Sequence, residues 1–389
     1  MSVSEAVDAV VVGGGLAGLA AAMATARAGL RTVHLAPPAP ADRRTSALMM
    51  PSVRYLQEAG LIGDPETYGH PLTRIRIIDA TSRLIRAPET LFDSAEAGLP
   101  AFGWNFPNIR LSEAFEAAKQ ALPALETRPL AMTGIVLGPE HSQLTLSDGT
   151  RLDAALVVGA DGKRSRVREE GPFRAREAGF MQAALVGDLT LERPLDGASV
   201  EFHYPQGPFT LVPAGGNRAN LVWIDDKEVL DAARAEGDDA LQQRFWEKSM
   251  RLFGRVALAS PTHVFLLSSL SVDKAGADGV VLVGEAAHAF PPIGAQGLNL
   301  GLRDVADLSA ALAASGSRGP GWARRVSEDY ARRRGADLLR TGAMVDGLFR
   351  SLLADMLPAQ ALRAGGLWAL RLMPALRRQA FRLGMGQRG

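Results

Sequence analysis

The stretch that decides the fold is Val7-Asp8-Ala9-Val10-Val11-Val12-Gly13-Gly14-Gly15-Leu16-Ala17-Gly18. Val7 to Val12 is nearly all apolar, which suits a parallel strand buried on both faces. Leu16 to Ala28 is rich in alanine and reads as a helix that Gly29 stops. Arg31 to Leu35 reads as a second strand, so the chain opens on a β-α-β unit. Gly13-x-Gly15-x-x-Gly18 falls at the strand-to-helix turn, where a dinucleotide pyrophosphate binds. There Gly13 permits the tight turn, Gly15 lets the pyrophosphate approach the backbone, and Gly18 lets helix and strand pack closely. The helix start adds free N–H groups and a partial positive charge. A plain glycine turn is the alternative, and the flanking strand and helix weigh against it. Taken alone, the fingerprint does not separate NAD from FAD. The acid that normally accepts the ribose hydroxyls after the second strand is absent: Ala36 follows Leu35, and the next acid is Asp42.

Two further apolar runs end in turns of the same kind. Leu156 to Val158 leads into Gly159-Ala160-Asp161-Gly162, and Val280 to Val283 into Gly284-Glu285-Ala286-Ala287-His288. Strands of an open sheet present residues to a ligand at such ends. Between them the pattern changes. Ser199 to Phe202, Phe209 to Val212 and Asn220 to Ile224 read as strands with Gly and Pro turns, and a further strand pair falls around Thr73 to Arg86. These strands form an antiparallel sheet inserted into an α/β domain. Asp226 to Leu252 is polar and helical. From Leu302 the chain reads as helices broken by Gly316 to Gly321, Pro358 and Pro374.

A chain of 389 residues favours two domains. Its 47% hydrophobic and 22% charged residues are ordinary for a globular protein, and a net charge of +1 gives no field to attract nucleic acid. Cysteine is absent, which excludes disulfides, thiolate chemistry, iron–sulfur ligation and cysteinyl cofactor attachment. No metal site is expected. Ala9 to Ala26 is uncharged and resembles a signal or membrane helix, but Glu5 and Asp8 precede it and glycines interrupt it. The expected location is therefore the cytoplasm.

Three motifs together resemble the flavin-dependent aromatic hydroxylases of the para-hydroxybenzoate hydroxylase fold. They are Gly13 to Gly18, then Gly159-Ala160-Asp161-Gly162 running on to Arg168, then Gly284-Glu285-Ala286-Ala287-His288 running through Pro291-Pro292 to Gly301. They occur in order, and the likeness covers nearly the whole chain. Within that fold the sequence is similar to the ubiquinone-biosynthesis hydroxylases. Asp42-x-Arg44-x-x-Ala47-Leu48, Asn108-x-x-Leu111, Gln182, the Gly207-Pro208 turn, Val222-Trp223, Tyr330 to Arg334 and Leu362 to Gly386 carry that finer likeness.

The resemblance implies an α/β fold: a Rossmann-like FAD-binding domain with an inserted antiparallel β-sheet substrate domain and a C-terminal helical region. The FAD-binding domain takes residues 1–71, 99–178 and 270–345, the substrate domain 72–98 and 179–269, and the C-terminal helices 346–389. FAD would lie along Gly13, Gly15, Leu16, Ala17 and Gly18. Arg44 would face the phosphates or the flavin edge, the alternative being a surface arginine. Asn108 would hydrogen-bond the cofactor or else cap a helix. Asp161 would serve FAD or bind backbone N–H groups in its turn, or both, with Arg168 as its partner. Glu285 stands where the family has Asp, one methylene longer, against the ribityl chain. Pro292 would sit near the ring, wrapped by Gly294, Gln296, Gly297, Leu298 and Asn299, with helix-start N–H groups facing reduced flavin. His288 is expected to be a packed histidine.

The implied reaction is hydroxylation of the aromatic ring of a polyprenylated ubiquinone precursor by dioxygen through a flavin C4a-hydroperoxide, with NAD(P)H or a reductase as electron donor. That chemistry needs an enclosed apolar pocket. Phe202, Tyr204, Phe209, Leu211 and Trp223 are candidates to cover the flavin, or are core packing; His203 and Tyr204 are candidates to assist phenol deprotonation. No side chain is assigned a catalytic role. Two alternatives stay open: an enzyme of the same fold acting on another aromatic or isoprenoid substrate, and a non-catalytic flavin-binding subunit of a quinone-biosynthesis complex. Met356 to Gly389 holds six Arg and no acid. That suits a helix on the inner face of an anionic membrane, or one docked on the protein or its complex.

Overall fold

The computed structural model describes residues 4–81, 87–292, 296–353 and Trp368. Strand β1 (Glu5–Val12), helix α1 (Leu16–Arg27) and strand β2 (Thr32–Leu35) form the opening unit. β1 is the hub of the first sheet. On one side it pairs in parallel with β2, and β2 with β8 (Leu125–Arg128). On the other it pairs in parallel with β11 (Arg151–Gly159), which pairs with β19 (Val280–Leu282). The short β18 (Gly276–Ala277) closes that edge, and a hairpin of β9 (Met132–Val136) and β10 (Ser142–Leu146) joins β11. Val10, Val11, Leu156, Val157, Val280 and Val281 are wholly buried, as in strands covered on both faces, and share one core with Met132, Ile135, Leu144 and Leu146 of the β9–β10 hairpin. The register sets Val12 beside Gly159 and Leu35, so the three motif-bearing strands end at one edge.

The inserted sheet has the order β20 (His288–Ala289), β17 (His263–Val272), β12 (Ala175–Leu191), β15 (Arg218–Asp226), β14 (Gly207–Pro213), β13 (Ala198–Tyr204), β5 (Arg74–Asp79) and β6 (Thr90–Asp93), with β16 (Val256–Leu258) on β12. All its pairs are antiparallel except β13 with β5. Strands β12 and β17 carry no clear apolar alternation and escape a reading by pattern. The second strand of the expected pair lies at Thr90–Asp93, past the position where sequence places it; residues 82–86 are outside the described set.

A third small sheet, β3 (Thr45–Met49), β7 (Gly103–Pro107) and β4 (His70–Leu72), sits between the two. Asn105 of β7 donates to the carbonyl of Pro213 at 3.0 Å and to Asn220 Oδ1 at 2.7 Å, tying the inserted sheet down. Helices α2 (Met50–Glu58), α3 (Asn108–Lys119) and α4 (Arg166–Glu170) follow strands or turns of the first domain. The polar stretch after Asp226 forms α5 (Lys227–Ala235) and α6 (Asp238–Lys248). The long α7 (Gln296–Ala314) and α8 (Trp322–Leu353) pack over the parallel sheet, and α8 runs unbroken across position 345. Among the described residues no helix is long and apolar enough to cross a membrane.

The inserted sheet has two unlike faces. On one, Phe202, Phe209, Leu211, Leu221 and Trp223 pack against Leu230, Leu241 and Phe245 of α5 and α6. Trp223 and Phe245 meet edge to face at 6.2 Å, and Phe209 lies 6.0 Å from Phe202 and 6.5 Å from Trp223. These aromatics are therefore core rather than cover for the cofactor. Alternation leaves Glu201, His203, Thr210, Val212, Asn220 and Val222 half-buried on the other face, the one from which Asn220 meets β7.

Candidate flavin site

The converging strand ends open a cleft of about 410 Å3. Gly15, Leu16, Ala17 and Gly18 form one wall. Gly15 precedes α1, and a Cβ there would meet nothing within 4 Å, so the space beside it is open to a ligand. No side chain caps α1 and no acid lies in its first turn, which leaves its N–H groups and positive end available to an anion. Gly13 stands behind this wall rather than in it. Its φ of +125° is left to glycine, and a Cβ would lie 2.1 Å from the Ala160 carbonyl oxygen. A Cβ on Gly18 would lie 2.0 Å from the Gly13 carbonyl oxygen. The three glycines thus serve different contacts. That same Gly13 carbonyl lies 2.9 Å from Nε2 of the buried His34, whose pKa burial pushes down, so the neutral ring donates to it.

A second helix start faces the first. Gln296, Gly297 and Leu298 at the beginning of α7 line the cleft, and both Gly284 and Gly301 approach Ala17 so closely that a Cβ would sit 3.4 Å from its methyl. The side chain of Asn299 points elsewhere. Its Oδ1 accepts from Met49 N and Ser52 Oγ at 2.9 and 2.7 Å, and its amide donates to the Ala47 carbonyl at 2.8 Å. Asn299 is therefore a clasp between α7 and β3. Gly294 lies outside the described residues.

The third wall holds Asp42, Arg44 and Asn108. The Arg44 guanidinium donates twice to Asp42, at 2.9 and 2.8 Å. Asn108 is buried at the first position of α3, where it donates to Asp42 at 2.8 Å and accepts from Ser46 at 2.7 Å. It does not cap the helix. Burial alone would raise the Asp42 pKa, but Arg44 and Asn108 outweigh it and bring it to about 2. Hydrogen bonding to Asp42 holds Arg44 charged, with Glu285 adding to the effect. Glu285, Phe290 and Pro292 line the same cleft, so cation and carboxylate both face its interior.

Asp161 is placed differently. Its carboxylate accepts from Ser165 Oγ at 2.5 Å and from Arg166 N and Val167 N at 2.8 and 3.2 Å, holding its own turn and the start of α4. Arg168 is not its partner: it donates to the carbonyls of Ala286 and Lys163, at 3.0 and 2.8 Å, and so joins the second motif to the third. The side chain of Tyr204 is also taken, its hydroxyl donating to the Lys248 carbonyl at 2.8 Å. His203 lies 3.3 Å from Glu201 on the half-buried face. His288 is packed, with 3% exposure, and lies 2.7 Å from Asp304. The buried acids Asp304 and Asp307 were not singled out by motif, although two acids three apart on an apolar helix face are a legible signal.

Two helix starts, an open glycine edge and a polar wall fit a dinucleotide whose pyrophosphate is doubly negative and whose far end is an aromatic ring. The fold and cleft are those of a dinucleotide-binding flavoprotein. The chain belongs to the FAD binding domain family, whose model matches residues 6–336. It is an FAD-dependent monooxygenase similar to the ubiquinone-biosynthesis hydroxylases. The ubiquinone hydroxylase UbiL of Rhodospirillum rubrum is 33% identical over 99% of this chain and 91% of its own length. The 3-demethoxyubiquinol 3-hydroxylase of Escherichia coli is 28% identical over 98% of this chain and 99% of its own. Among solved structures, the p-nitrophenol 4-monooxygenase of Pseudomonas putida shares the fold with a TM-score of 0.79 at 20% identity, covering 99% of this chain and 100% of its own.

Proposed function

We propose that this protein hydroxylates the aromatic ring of a polyprenylated ubiquinone precursor. The observation that carries the reading is similarity along the whole chain to two hydroxylases named for ubiquinone and demethoxyubiquinol. The reaction would place one oxygen atom of dioxygen on a ring carbon and release the other as water, using two electrons from NAD(P)H or a reductase. FAD, when bound, would supply the redox chemistry that activates dioxygen.

The chain's own residues would bind and orient. N–H groups of Gly15, Leu16 and Ala17 would receive the pyrophosphate, with Gly13 and Gly18 keeping that wall in place. Asn108 and the Asp42–Arg44 pair would meet the cofactor on the polar wall. Glu285 would accept from the ribityl chain, while Pro292, Gln296, Gly297, Leu298 and the first-turn backbone of α7 would surround the ring. Asp161 would act through its turn. The half-buried face carrying Thr210, Val212 and Val222 would enclose the substrate and keep water out. The Arg-bearing stretch 356–389 would bring the enzyme to the membrane that holds its substrate.

The test is anaerobic reduction of the FAD-loaded protein, then mixing with oxygen and a polyprenylated phenol. A product heavier by one oxygen is expected. A product heavier by two hydrogens would assign the protein to isoprenoid reduction, and no product with any quinone precursor would overturn the proposal.

A further inference from the structure

Beneath the cleft lies a cluster of buried charge. Asp304 on α7 is fully buried, and one of its oxygens accepts from Gly284 N at 2.7 Å and faces His288 Nε2 at 2.7 Å. The other lies 2.6 Å from Nε of Arg334 on α8, which is also fully buried. Nη1 of Arg334 reaches Asp307 at 3.0 Å and Asp337 at 2.6 Å. Asp337 pairs with Arg303 at 2.9 Å, and Arg303 donates to Gln296 Oε1 at 3.3 Å. Burial opposes the charge on Asp304, but His288 and Arg334 outweigh it and hold its carboxyl below the ordinary range.

This cluster meets the cleft at three places. Gly284 and Gln296 line it, and the ring of His288 stacks on Phe290, which also lines it, at 6.3 Å and 10°. The segment carrying Glu285 and Phe290 is therefore held at Gly284 and again at His288 by one residue of α7, Asp304. Desolvating charge is costly, and Asp304 Oδ1 meets Arg334 Nε as an ion-pair contact without a hydrogen bond, so the pair depends on the fold holding both charges in place. Asp304, Asp307 and Asp337 thus converge on Arg334, with Arg303 on Asp337 at the edge of the cluster. A fixed charge in a poorly screened interior acts on a ligand one layer away.

We propose that Asp304 is a positioning residue for the flavin: it holds the Gly284 turn and His288 in place beside Arg334, and its carboxylate biases the flavin against taking up negative charge on reduction. This rests on the cleft being the flavin site. The test compares FAD affinity, melting temperature and flavin midpoint potential in the wild type, Asp304→Asn and Arg303→Gln. Asp304→Asn keeps an acceptor for Gly284 but removes a negative charge, so FAD affinity falls about tenfold and the potential moves positive. Arg303→Gln removes a positive charge at a less buried position, so the potential moves negative. Should Asp304→Asn fail to fold, the sign at Arg303→Gln decides. Potentials that stay at the wild-type value, or shift together in one direction, overturn the proposal. Gly15→Ala run in parallel separates the two readings. If it leaves FAD affinity unchanged, the cleft assignment fails and this inference with it. If it weakens FAD while the two potentials match wild type, this inference alone fails.

Discussion

At the ends of the parallel strands Gly15 faces open space, whereas in the inserted sheet the bulkiest residues touch one another. A Cβ at Gly15 would find open space, and the N–H groups beside it have no side-chain cap. Phe209 and Trp223, by contrast, are buried to within 1% and packed against Phe245. Binding capacity in the first region comes from what is left unfilled. Stability in the second comes from what is filled. Mutations should separate the two, and the following experiments are arranged by the size of the effect.

Trp223→Ala should cost about 3–5 kcal/mol of stability, read from denaturant unfolding, because it empties the core between sheet and helices. The protein that remains folded should hold FAD with an unchanged spectrum; a lost or altered flavin spectrum would break the comparison. Gly18→Ala forces a methyl against the Gly13 carbonyl and should cost about 1–3 kcal/mol. Unlike the tryptophan change, it should also abolish FAD retention on gel filtration. Gly15→Ala should sharpen the contrast most. The apo-protein should melt at the wild-type temperature, while FAD titration by fluorescence quenching shows an affinity about tenfold weaker, or about 1.4 kcal/mol.

Asp42 offers a pH test. Its folded pKa of about 2 lies below the ordinary 3.8. The stability it contributes is complete above the ordinary value and lost as pH falls through the folded value. Thermal unfolding of wild type against Asp42→Asn should therefore converge between pH 4 and pH 2, and parallel curves there would rule out this role. The smallest effect is expected at Met181, which is 81% exposed: Met181→Ser should change stability by less than about 0.5 kcal/mol in the same assay.

Much of the first region is legible residue by residue. Glycine spacing, an apolar run and an alanine-rich helix each act locally, so the turn at Gly13 to Gly18 and the helix over Leu16 to Arg27 follow from short stretches of chain. The candidate cofactor residues are legible less evenly. Arg44, Asn108, Glu285 and Pro292 do reach the cleft, while Asn299 and Asp161 spend their side chains on neighbouring backbone. A motif records that a residue type belongs at a turn, but whether its side chain serves the ligand or the turn depends on which groups lie within hydrogen-bond reach. In the inserted sheet, alternation correctly put Phe209 and Leu211 on one face. It could not say that α5 and α6 would cover that face, because a two-residue period is the same whichever side is buried.

The sequence alone determined the β-α-β opening, the glycine loop, the order of the three motifs and the flavoprotein family. These rest on local backbone geometry and on spacing along the chain. Only the tertiary structure decided which aromatics are core, that Arg168 bridges two motifs instead of pairing with Asp161, and that Asp304 meets Arg334 across helices. Those pairings join residues from 30 to more than 100 positions apart, and a buried charge is tolerable only where the fold brings its partner.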